Sequence, residues 1–187
     1  MSVADRRLLS QRQVWYGEFV EPAGSGDGWG GRVLVIGVGN PFRGDDAVGL
    51  RVAASLREWL PPRVTVMEAT GEVMSLVSCW EGLDRLVIVD AARSGATPGT
   101  VHRFDARRPL PAHFGSLSSH GLGVASAIEM ARALGTLPRE VVVYAIEGER
   151  FGLGEDLSPG VTAAVSLLVD RVLGELAALL AETGEEP

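Results

Sequence analysis

The sequence predicts an α/β domain, a three-layer α/β/α fold with a mostly parallel, twisted sheet of about five strands between helices. Two observations carry this. From Arg32 onward, apolar runs rich in β-branched residues alternate with stretches whose apolar residues recur at helical spacing, the order that builds strand–helix–strand units. Two of the runs, "RVLVIGV" (32–38) and "RLVIVDAA" (85–92), are apolar at nearly every position, as strands covered on both faces are.

Residues 1–31 are polar and then Gly/Ser-rich ("EPAGSGDGWGG"), which predicts an arm on a linker. Residues 32–187 form the single domain. After the first strand, "AVGLRVAASLREWL" (47–60) sets Val48, Val52, Leu56 and Leu60 on one helix stripe, and Pro61-Pro62 ends it. "RVTVMEA" (63–69) reads as a strand and "GEVMSLVSCWEG" (71–82) as a helix. "RLVIVDAA" is the next buried strand and "GTVHRF" (99–104) a shorter one. "GLGVASAIEMARALG" (121–135) is a helix stopped by Gly135. "EVVVYAI" (140–146) is the last strand, and a final helix covers roughly 160–182, with Pro159 near its N-terminus.

Composition narrows the function. The net charge is −7 and the isoelectric point about 5.0, so nucleic acid and anionic membranes are poor partners. The arm has Arg6 and Arg7 but no apolar stretch of a secretory signal, and the apolar runs are too short to span a bilayer. Cys79 is the only cysteine, which excludes an internal disulfide and a cysteine-based zinc cluster. A cytoplasmic protein, monomeric when free, is the expectation.

The loop in "VLVIGVGNPFRGDDAVGL" (33–50) looks at first like a phosphate cradle. The dinucleotide pattern G-x-G-x-x-G fails, because after Gly37 and Gly39 its third position is Phe42. Asp45 and Asp46 would also repel a phosphate at the helix entrance. Asp46 reads either as a helix cap or as a ligand, and its company favours the ligand. Asp90 closes a buried strand, where a carboxylate is costly unless paired or metal-bound. Carboxyl ends of parallel strands share one crevice, so Asp46 and Asp90 belong to one edge. His120 in "SLSSHGLG" reaches it if the next helix begins there, and is otherwise a helix-capping or loop histidine. Two carboxylates and an imidazole suit a borderline divalent cation, zinc or nickel, with an open coordination position.

Other residues fit less well. His102 alternates within a short strand and is expected to face water. His113 is the fallback ligand. Ser118 and Ser119 lack the G-x-S-x-G elbow of a nucleophile. Cys79 belongs to packing. Glu68 ends a strand at the same edge, either as a solvated rim residue or as a fourth acid.

These segments resemble the hydrogenase maturation proteases, endopeptidases that trim the C-terminus of the [NiFe]-hydrogenase large subunit. The likeness runs through "GVGNPFRGDDAVGLRVA" (37–53), "LVIVDAARSGATPGTV" (86–101), "SSHGLG" (118–123) and "LSPGV" (157–161), about residues 32–180. It implies that Asp46, Asp90 and His120 bind nickel and carry catalysis. It also implies that the nickel arrives seated in the large-subunit precursor, with zinc or cadmium as surrogates, whereas the residues alone suggest a resident zinc. The implied activity is removal of the precursor's C-terminal extension. Alternatives are a nickel-checking module without cleavage, or a resident-metal hydrolase of small peptides or amides. Asp45 and Glu68 are the residues left to act as general base. Two features depart from the family: "MEATGE" (67–72) stands where an Asp-Gly-Gly-Thr-like box is common, and the arm 1–31 has no counterpart.

Overall fold

The structure, a computed structural model of the chain, describes residues 32–80, 82–111 and 123–182. In chain order it contains β1 (Val33–Val38), a 3-10 turn (Gly44–Ala47), α1 (Val48–Leu56), β2 (Val64–Ala69), α2 (Val73–Cys79) and β3 (Arg85–Ala92). There follow β4 (Val101–Asp105), α3 (Gly123–Leu134), β5 (Glu140–Glu147) and α4 (Pro159–Glu182). The sheet order is β2-β1-β3-β5-β4. All neighbours are parallel except β4, an edge strand antiparallel to β5.

Two hydrophobic clusters, one on each face, make this a three-layer α/β/α fold. Leu34, Ile36, Ile88 and Val143 pack on one face against Leu76 and Trp80 at α2 and Val124 and Ile128 of α3. Val33, Val35, Val87 and Ile146 pack on the other against Val48, Val52 and Leu56 of α1 and Leu168 and Val172 of α4. This is the alternation of a strand pair covered twice.

The chain runs from β1 through α1 to β2 on one side, then through α2 back across to β3 on the other. The strand order therefore reverses between β1 and β3, and α1 and α2 lie on opposite faces. A crevice opens at such a point above the carboxyl ends of the two strands.

The glycines of the first loop serve close packing. A Cβ at Gly37 would run into the backbone oxygen of Gly49, and one at Gly49 into the oxygens of Val38 and Val89. Helix α1 thus rests directly on β1 and β3, which ties the turn before it to both strands.

Several element ends differ from the sequence reading. Helix α1 stops at Leu56, and single turns carry the chain to Trp59, with Trp59 N donating to Leu56 O at 3.0 Å. Helix α2 is shorter than 71–82 because Glu72 is extended and caps it, accepting from Met74 N at 3.1 Å and Ser75 N at 2.7 Å. Strand β5 gains one residue, Glu147. The arm 1–31 lies outside the described residues.

Candidate active site

Asp46 sits in the 3-10 turn that follows β1, and Asp90 near the end of β3. The turn packs against β3, so the switch-point crevice has a carboxylate on each wall. Both side chains are buried, at 4% and 2% exposure. Asp90 shares the face of Ile88 and Ala92, towards α2 and α3, and its Oδ1 accepts from Ala91 N at 2.8 Å. Helix α1 begins one residue later than the sequence suggested, so that Ala47 rather than Asp46 holds its N-cap position. His120, the third predicted ligand, lies outside the described residues, as do His113, Ser118 and Ser119.

Asp45 corrects an expectation. Held in reserve as a general base, it is fully buried and spent on structure. Its Oδ2 accepts from Glu149 N at 2.8 Å and Arg150 N at 2.9 Å, and its Oδ1 from Ser158 N at 2.6 Å. Its own amide donates to Arg150 O at 2.7 Å. The carboxylate thereby locks the turn bearing Asp46 to the loop between β5 and α4, and those three donors offset its loss of water.

Glu68 also leaves the list. It lies on the sheet face of Val64 and Val66, opposite that of Asp90. There it pairs with Arg57 at 3.2 Å in an exposed ion pair, the solvated-rim alternative.

His102 is half-buried, with its Nε2 shielded from solvent, rather than fully turned to water. It lies in register with Ala145, which in turn pairs with Asp90, so the three form one row across β3, β5 and β4. Its ring stacks on Phe104, with centroids 6.3 Å apart. Its Nε2 is 3.9 Å from Oε2 of Glu147.

Glu147 was missed in the sequence. Only 1% exposed, it accepts from Ser94 N at 2.7 Å, Gly95 N at 2.8 Å and the Ser94 hydroxyl at 2.7 Å. It thus fastens the loop that leaves β3 two residues after Asp90. An acid ending an apolar strand is the signal that singled out Asp90, and "VVVYAIE" carries the same one. Cys79 is half-buried beside the α2–α3 cluster, and burial pushes its thiol up, which fits packing rather than chemistry.

Comparison with known proteins gives a consistent outcome. Residues 50–175 match a family described as hydrogenase maturation protease. The hydrogenase 2 maturation protease of Escherichia coli K12 is 31% identical over 161 residues, spanning 83% of this chain and 94% of that one. Among solved structures, an endopeptidase from Escherichia coli superposes with a TM-score of 0.70 at 29% identity, covering 83% of this chain and 95% of its own. A [NiFe] hydrogenase maturation protease, HybD, from Thermococcus kodakarensis gives a TM-score of 0.61 at 27% identity, covering 78% and 99%.

Proposed function

The chain belongs to the hydrogenase maturation protease family, a family of peptidases, and from that premise we propose that it removes the C-terminal extension of a [NiFe]-hydrogenase large-subunit precursor in a nickel-dependent cut. One observation supports this above the rest: two buried carboxylates, Asp46 and Asp90, stand on the two walls of the crevice between β1 and β3. Buried acids at that edge suit a divalent cation.

In this reading the nickel is cargo of the precursor, and Asp46, Asp90 and His120 grip it. Oxygen and imidazole donors fit nickel, and a cation held there polarises a peptide carbonyl beside it. Asp45 and Glu147 do not act on the bond. They hold the two segments that carry Asp46 and follow Asp90. The compartment we propose is the cytoplasm, given the acidic composition and the single cysteine. No helix among the described residues is long and apolar enough to cross a membrane.

The experiment incubates the protein with nickel-loaded precursor and follows shortening of the large subunit by mass. Asp46→Ala, Asp90→Ala and His120→Ala are each expected to slow processing about a hundredfold or more, with unchanged thermal unfolding. Normal processing by all three would refute the ligand assignment. Precursor bound in a nickel-dependent way but never cut would make the protein a checking module. Stoichiometric zinc surviving dialysis would make it a resident-metal hydrolase.

A further inference from the structure

Beside the Asp46 turn lies an open pocket of about 200 Å³. Phe42 and Ala47 line it from the loop after β1, Leu157 from the loop before α4, and Arg51, Glu155 and Asp156 supply its charge. The volume is below the roughly 300–1,000 Å³ of small-molecule sites and suits a single side chain. Its polar groups are both donor and acceptors, as a peptide backbone requires. Gly44 and Ala47, the two ends of the turn that carries Asp46, both line the pocket, so it borders that turn.

The two loops are joined before any ligand arrives. Gly154 N donates to Phe42 O at 2.8 Å, and Arg43 Nε to Phe151 O at 3.2 Å, alongside the Asp45 bonds. This braced rim exposes two large apolar side chains, Phe42 at 64% and Leu153 at 80%. Phe42 lines the pocket itself, and Leu153 directly precedes Gly154, another of its wall residues.

We propose that this pocket is a side-chain subsite for the precursor, a deepening of the function proposed above. The client segment carrying the cleaved bond runs extended across Asp46. It sets one apolar side chain between Phe42 and Leu157, and its backbone amides and carbonyls meet Glu155, Asp156 and Arg51. Leu153 covers the segment from the lip.

The test measures processing kinetics and precursor binding for the wild type, for the double variant Phe42→Ser/Leu153→Ser, and for Arg51→Glu. Both substituted apolar residues are exposed, and thermal unfolding is checked for each protein. The expected result is a rise of about tenfold in KM, the affinity that one buried apolar side chain provides, with kcat within about twofold. Arg51→Glu gives an independent rise in KM should the double variant fold poorly. KM unchanged in folded variants overturns the subsite, and so does a fall in kcat alone. If the wild type binds precursor without cutting it, the cleavage reading fails, and weaker binding by the rim variants still upholds the subsite. If the wild type neither binds nor cuts, both fall together.

Discussion

Asp45 and Asp46 are adjacent, both buried, and opposite in use. The first turns its oxygens to three backbone amides of the 149–158 loop; the second lies on the wall of the crevice. This separates a clamp from a base by experiment. Asp45→Asn leaves a single acceptor oxygen and sets an amide donor against N–H groups. It should lower unfolding free energy by about 3 kcal/mol, read from urea denaturation, with processing falling in parallel. A general base would instead lose activity at unchanged stability, and that outcome would sink the clamp. The sequence offers no way to tell the two acids apart, because Asp45's donors are main-chain groups more than a hundred positions away and carry no side-chain signature. The burial of Asp90 was legible, since a carboxylate closing "RLVIVD" is carried into the sheet by its strand.

At the scale of the elements, packing of α1 against the sheet governs the site. Gly49 has backbone oxygens of β1 and β3 where a Cβ would go, and neither strand can retreat. Gly49→Ala should therefore cost about 2–3 kcal/mol and shift the Asp46 turn, seen as a lower urea midpoint and slower processing. Gly174 in α4 is the control: nothing lies within 4 Å of a Cβ there, and Gly174→Ala should add about 0.5–1 kcal/mol through helix propensity. Strand β3 was legible to its last residue because both its faces are apolar. The ends of α1 and α2 were not, since Glu72's capping and the single turns after Leu56 are set by local hydrogen bonds rather than by periodicity. His102 was misread for a related reason. Alternation in an edge strand separates two faces without telling which of them a helix layer covers.

For the whole molecule, two cores share one sheet, with Leu56 buried on one face and Leu76 on the other. Neither layer has a partner except through the strands, so both should be lost together. Leu56→Ala and Leu76→Ala are each expected to lose about 2–5 kcal/mol. In both, circular dichroism and the fluorescence of buried Trp80 should fall in one coincident transition. A probe-dependent midpoint in either variant would show that the layers melt separately. The architecture was readable at this scale, since alternating elements leave few other solutions. The brace between the first loop and the loop before α4 was not, because it joins segments at opposite ends of the order.

That brace has a bearing on synthesis. Ser158, which completes the hold on Asp45, lies 113 positions downstream of it. A nascent chain that has already released its first strand from the ribosome has an acid with no amides to receive it. A chain that stops short of Ser158 cannot complete this hold, and the turn that carries Asp46 is then not fastened to the loop before α4. The turn that follows the first strand is thus fastened only after β5 has been made.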